Sequence, residues 1–340
     1  MTSRTTLDPR AFIAAVLLAL GWTAGAIAAD RPVFQLPIAC DIGRNCFVQT
    51  YVDADPSASA RDYMCGTRAQ NGHNGTDFRV PTMAAQRAGV DVLAAADGRV
   101  LRQRDGMADV PLAGSDHSAV QDRECGNGLV IDHGDGWETQ YCHLAKGSLQ
   151  LKPGDTVKAG QPVGRVGLSG LSQYPHVHFT VRHEGRIVDP FAHDAPRGSC
   201  GAGASLWATS LQPSLAYRPR AIINHGFASG PVTMQMVEEA SAGQAPVGAD
   251  AAALVAYIRA IGLQAGDLQV LTLKDPSGRV IAENRAKPME RNQAQTLLYS
   301  GRKRPQDGWQ PGLYQASYRV TRDGAVVLEQ DFSMELRGQP

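Results

Sequence analysis

Three short stretches place metal-binding side chains close together in sequence: His73-Asn-Gly-Thr-Asp77, Tyr141-Cys-His143-Leu144 and His176-Val-His178-Phe179. A catalytic zinc site keeps three protein ligands drawn from His, Asp, Glu and Cys and leaves one tetrahedral corner to water. Two imidazole nitrogens and one carboxylate oxygen suit that ion. In an extended strand side chains alternate faces, so His176 and His178 point the same way, with Cα atoms about 7 Å apart. One of them can ligate while the other reaches the bound water. The chain has no His-Glu-x-x-His helix, so the base must be imidazole. The chemistry such a set can do is metal-assisted amide hydrolysis, in which the ion polarises a carbonyl and lowers the pKa of its water from about 15.7 towards 7.

At these residues the chain resembles the lysostaphin-like zinc endopeptidases of bacterial cell walls, whose signature is H-x-x-x-D followed by H-x-H. The resemblance implies that His73, Asp77 and His178 hold one Zn2+ per chain and that His143 and His176 are the catalytic pair beside the water. Which of the two takes the proton and which stabilises the oxyanion stays open. Gly75, the run Ala94-Ala-Ala-Asp-Gly-Arg-Val100 and the run Leu151-Lys-Pro-Gly-Asp-Thr-Val-Lys-Ala-Gly-Gln-Pro-Val-Gly164 match the family's strand and turn segments. The likeness covers about residues 63–192 and hardly touches the C-terminal part. It implies cleavage of peptide stems or cross-bridges of peptidoglycan at a bond involving D-alanine and a diamino acid, with a glycine bridge as the variant substrate. One departure is Gln173-Tyr174 before Pro175-His176, where relatives carry a small Thr-Gly pair. Tyr174 reads equally as a wall of the substrate cleft, a phenol near the reacting carbonyl, or packing at a strand end.

A second reading is a non-catalytic wall-binding or amidase-activating protein with the same fold, separated from the first by its metal content. A third, a lipoyl-type carrier, rests only on Lys-Pro-Gly-Asp-Thr-Val-Lys-Ala-Gly and requires a modified lysine at a hairpin tip. His133 opens a Gly-Asp-Gly turn and is expected to shape it. His117, His183, His193 and His225 lie outside the motifs and receive no role.

Formal net charge is zero, with 33 basic and 33 acidic residues, and no long basic run appears, which argues against nucleic acid as a partner because phosphate binding needs clustered Lys and Arg. Arg4 and Arg10, an apolar run from Ala11 to Ala29 and small residues at Ala26-Ile27-Ala28 read as a signal peptide cleaved near Ala28. Export to the periplasm or medium follows, with membrane attachment only if that segment stays uncleaved. Six cysteines form an even set, which outside the cytoplasm favours disulfides. Strands on either side of Gly134-Asp135-Gly136 would bring Cys125 near Cys142. Cys40 and Cys46 can clip a short loop, and Cys65 is left to Cys200 by elimination.

Turn signals between residues 90 and 190 separate short apolar strands over 90–95, 98–102, 128–132, 138–144, 156–158, 162–166 and 177–182. The expected fold is mainly β: a signal peptide (1–28), an N-terminal segment with a local disulfide (29–62), a compact antiparallel β peptidase domain (63–200) and a β-sandwich resembling immunoglobulin-like modules (206–340). A polar insertion over 103–124 is expected as a surface loop bordering the groove. Residues 201–205 read as a linker, and 249–261 as a strand despite its alanines. The C-terminal domain carries no catalytic set and is expected to bind wall material or a protein partner.

Overall fold

Alternation along residues 176–183 sets the frame of the site. Val177, Phe179 and Val181 turn into the core at 0–1% exposure, so His176, His178, Thr180 and Arg182 share the opposite face. The computed structural model describes residues 1–2, 31–112, 118–196, 198–243 and 247–337. The apolar run and the cleavage site near Ala28 fall outside these residues, as does His117. Among the described residues no helix is long and apolar enough to cross a membrane.

The first part of the chain supplies β1 (Phe47–Thr50), β2 (Thr76–Arg79), helix α1 (Met83–Ala88), β3 (Asp91–Leu93), β4 (Gly98–Arg104), β5 (Asn127–Gly134), β6 (Trp137–Leu144), β7 (Thr156–Val157), β8 (Pro162–Arg165), β9 (His176–His183) and β10 (Arg186–Val188). An antiparallel sheet runs β1-β2-β9-β6-β5-β4-β7, with β10 beside β9, and β3 pairs with β8. The strands expected from the turn signals are all present. Helix α1 is a short addition, begun by Thr82, whose hydroxyl accepts from the Ala85 N–H. Under the sheet lies a core that includes Phe78, Leu129, Ile131, Tyr141 and Phe179, reached by Phe34 from upstream and by Leu206, Trp207 and Leu215 from downstream. Burying a side chain of that size is worth about 1.5–3 kcal/mol, which keeps the strands that carry the site rigid.

All three disulfides join the pairs read from the sequence: Cys40–Cys46, Cys65–Cys200 and Cys125–Cys142. Residues 201–205 are tied down. Gly201 N–H donates to the Tyr63 carbonyl, and Ala204 pairs with His193. A side chain at Gly203 would meet the Ala192 and His193 backbones at 2.7–2.8 Å, so only glycine permits that approach. The 103–124 insertion is pinned by carboxylates. Asp109 accepts from the Lys146 and Leu168 N–H groups, and Asp105 from Gly147.

The rest of the chain adds β11 (Ala221–Ala228), helix α2 (Met234–Glu238), β12 (Ala253–Leu263), β13 (Leu268–Lys274), β14 (Val280–Arg285), β15 (Gln293–Lys303), β16 (Gly312–Arg322) and β17 (Ala325–Leu336). They form two antiparallel sheets, β11-β12-β15 and β14-β13-β16-β17, which share a core of Leu254, Ile258, Leu271, Tyr318 and their neighbours. Tight hairpins turn at 276–278 and 323–324, and 253–263 forms the strand expected within 249–261. The described residues from Pro32 onward belong to one compact unit.

One acid in the first core is held against its chemistry. Asp189 accepts from the Phe191 N–H through Oδ1, while its buried Oδ2 has no partner, and burial pushes its pKa up to about 7. Between about pH 4 and 7 the unfolded chain has lost this proton while the folded chain keeps it, so stability falls as pH rises through that window. Asp189→Asn is expected to flatten the fall and to raise the melting temperature above pH 7. Thermal unfolding of both forms from pH 4 to 8 checks this.

Candidate active site

Register in the sheet assembles the cluster. Asp77 on β2 lies opposite His178 on β9, and Cys142 on β6 lies opposite His178 from the other side. His73 precedes β2 by one turn and faces the same oxygen of Asp77. Oδ1 of Asp77 is 2.9 Å from His178 Nδ1, 3.2 Å from His73 Nε2 and 3.6 Å from His176 Nε2. Ligand atoms of His73, Asp77 and His178 all fall within 4.8 Å of one another. Gly75 is required here, since a Cβ on it would sit 2.6 Å from His178 Nε2.

The partners on the outer side of each ring fix its tautomer. His73 Nδ1–H donates to the Tyr51 carbonyl (2.7 Å), His143 Nδ1–H to the Ser169 carbonyl (2.8 Å) and His176 Nδ1–H to the Tyr174 carbonyl (2.9 Å). A carbonyl only accepts, so each ring turns the lone pair of Nε2 towards the cleft. His178 is reversed: its Nε2 meets Asn74 Oδ1 (2.9 Å) and Thr180 Oγ1 (3.1 Å), which leaves Nδ1 facing Asp77. Two ring nitrogens and a carboxylate oxygen thus converge on one point, where they share protons unless a cation takes their place. Burial opposes a charged His73, yet the Asp77 carboxylate overrides it and raises the ring above its ordinary pKa. Burial likewise opposes ionised Asp77, and the His73 and His176 rings with hydrogen bonds from His178 and His73 hold its carboxyl well below the usual range. The donor set N, O, N with fixed outer hydrogen bonds fits zinc.

His143 and His176 complete the wall of the cleft, with ring centroids 4.6 Å apart. His143 reaches it through a backbone irregularity. Its φ of +62°, where the register between β5 and β6 slips, turns the ring off the sheet, and its N–H donates to the Cys125 carbonyl. Holding a non-glycine residue there costs about 1–2 kcal/mol and re-aims the side chain. The Cys125–Cys142 bridge anchors the same bend. Burial first, then the neighbouring rings of His176 and His178, lower the His143 pKa well below its ordinary value, and burial lowers that of His176. Both are neutral imidazoles at pH 7.

The cleft has a volume of about 540 Å³, and the described residues lining it run from Gln70 to Arg182, so all five sequence-predicted residues face one cavity. Glu124, at the end of the 103–124 insertion, borders it. Tyr174 does two of the things its position suggested. It lines the cleft with its hydroxyl 3.4 Å from Asp77 Oδ2, and it packs, with the Arg79 guanidinium 4.4 Å from its ring. Burial, then the Asp77 charge, raises its pKa, so it remains a neutral phenol. Arg79 is fully buried and is held in turn by Gln49 and Gln295 (3.2 and 3.0 Å) and by Glu238 (2.6 Å). Sequence reasoning missed Arg79, Asn74, Thr180 and the three carbonyl acceptors. Only the alternation from His178 to Thr180 gave a signal for any of them. His133 is structural: its two nitrogens meet the Asp97 carbonyl and the Thr139 hydroxyl, both at 2.7 Å.

Among solved structures, a zinc-containing peptidase from Vibrio cholerae is 29% identical with a TM-score of 0.28, over 45% of this chain and 41% of that one. Two curated relatives from Vibrio cholerae are the peptidoglycan DD-endopeptidases ShyB, 36% identical over 124 residues, and ShyA, 33% identical over 127. These alignments cover 36% and 37% of this chain and 24% of each relative, so the chain spans about a quarter of their length. The sequence model of Peptidase family M23 matches residues 71–190, the stretch that contains all five site residues. Residues 71–190 thus carry a domain of the Peptidase family M23 type.

Proposed function

We propose that the chain is an exported zinc endopeptidase that hydrolyses peptide stems or cross-bridges of peptidoglycan. The observation that carries this reading is the convergence of His73, Asp77 and His178 donor atoms within 4.8 Å, with two neutral imidazoles beside them in one cleft. His73 Nε2, Asp77 Oδ1 and His178 Nδ1 are the atoms that would hold the ion. Zinc bound there supplies a Lewis acid and a water of lowered pKa.

The chain's own residues do the rest. His176 Nε2, the ring atom nearer to Asp77 Oδ1, is assigned to take the proton, and the Tyr174 carbonyl on Nδ1 keeps it in the accepting tautomer. His143 is assigned to the oxyanion and leaving amine, and exchange of these two roles is compatible with the same contacts. Tyr174 holds Asp77 and the His176 tautomer from one residue. The three disulfides support an oxidising compartment outside the cytoplasm. What favours hydrolysis over a wall-binding or amidase-activating role is that ligands and bases are all retained and aimed together. A wall or protein partner for the C-terminal sheets belongs to the same proposal.

The test is digestion of purified peptidoglycan with the fragments identified by mass. Release of stem or cross-bridge peptides, stopped by a chelator and restored by zinc, is the expected outcome. A chain that holds zinc and binds sacculi without releasing fragments would leave the non-catalytic reading.

A further inference from the structure

The floor of the cleft extends beyond the metal-ligating residues. From His178 it continues on the same face of β9 through Thr180 to Arg182, about 13 Å along the strand at Cα, and Gln140 and Glu138 on β6 lie opposite these two. Arg182 lines the cavity, yet its Nη1 is buried and has no hydrogen-bond partner, and among the described residues it forms no ion pair. Glu138, the nearest acid by register, has its carboxylate 3.8 Å from Arg102 instead. Burial lowers the guanidinium pKa, which is the cost of keeping this cation under-solvated. Buried donors are nearly always satisfied, so an unpaired one on a residue that lines a binding cleft is a place for a ligand acceptor.

We propose that Arg182 is a substrate-carboxylate subsite, which selects peptides bearing a free carboxylate a few residues from the scissile bond. A planar guanidinium offers two parallel N–H donors, the geometry a carboxylate matches. Glu138 beside it disfavours a dianion such as phosphate. Thr180 and Gln140 are neutral and Glu138 offsets Arg102, so the positive charge left on Arg182 is balanced by one carboxylate. Combined with the proposed hydrolysis, on which it rests for its substrate, this chooses between the two substrate readings. Stem peptides carry free carboxylates along their length, and a glycine bridge carries none there.

The experiment uses the zinc-loaded full chain and two probes, a stem tetrapeptide with its carboxylates free and the same peptide fully amidated, measured by calorimetry. Wild type is expected to bind the acid roughly tenfold or more tightly than the amide. The metal itself favours the acid, so the decisive comparison is Arg182→Met. It should lose most of that preference while keeping stoichiometric zinc and its melting temperature, and Arg182→Lys should recover part of it. In cleavage assays Arg182→Met should raise KM for the acid about tenfold with kcat within about twofold. The inference is overturned if Arg182→Met keeps the wild-type preference, or if acid and amide bind wild type alike. Should Arg182→Met fail to fold, the amidation series on wild type and Arg182→Lys decides in the same way. A chain that binds acid through Arg182 yet cleaves no peptide would keep this subsite and lose the hydrolytic reading.

Discussion

His178→Ala is expected to leave the purified chain without stoichiometric zinc and without turnover, whereas His176→Ala keeps the metal and loses roughly a hundred- to ten-thousandfold in kcat. The division follows from the contacts. His178 Nδ1 lies 2.9 Å from Asp77 Oδ1, and its Nε2 is held by Asn74 and Thr180, so removing the ring takes away one of three donors together with its supports. His176 stands 3.6 Å from the same oxygen, and its loss leaves His73, Asp77 and His178 in place. Elemental analysis of the two variants beside their rates checks this, and equal zinc loss in both would refute the division. At position 143 the informative replacement is asparagine, which tolerates the positive φ that alanine would adopt only at a cost. His143→Asn should then report the loss of the ring alone.

Glu238→Gln is expected to destabilise the folded chain by about 3–5 kcal/mol, the usual result of removing one partner from a buried ion pair. Glu238 on α2 bonds both Arg79 and Arg259, two guanidiniums with no solvent exposure, and Arg259 also donates to Asn224 and to the Pro81 carbonyl. Loss of that carboxylate leaves two buried cations facing one another. Arg79 carries the Tyr174 ring, whose hydroxyl and carbonyl touch Asp77 and His176, so the damage should also reach the site. A fall in melting temperature of about 10 °C, with a kcat loss measured below the transition, is the expected pair of readings. A variant as stable and active as wild type would remove the C-terminal sheets from this account of the site.

The candidate ligand set was legible because its spacing is local. H-x-H on a strand puts two rings on one face, and H-x-x-x-D places a third donor one turn before its partner strand. What fixes their tautomers was not legible, because the Tyr51 and Ser169 carbonyls are backbone groups 22 and 26 residues away from the rings they hold. No residue type announces a carbonyl acceptor. The left-handed backbone at His143 was equally silent, since the enrichment of histidine at positive φ is too weak to mark one position. Arg79 looked like an ordinary strand residue because Glu238, its partner, is 159 positions distant.

The strand β12 shows why residues 249–261 read ambiguously. Leu254, Ala256, Ile258 and Ala260 enter one core, while Val255 and Tyr257 enter another, so both faces are covered and no alternation appears in the sequence. The Cys125–Cys142 bridge followed from a hairpin, a local feature, whereas Cys65–Cys200 spans 135 residues and was reached only by elimination.

Crystals of the zinc-loaded chain, recorded on either side of the zinc absorption edge, test the central claim most directly. A single anomalous peak is expected about 2.0–2.2 Å from His73 Nε2, Asp77 Oδ1 and His178 Nδ1, with the His143 and His176 rings beside it and not bound to it. A peak held by other residues, or none at this cluster, would contradict it.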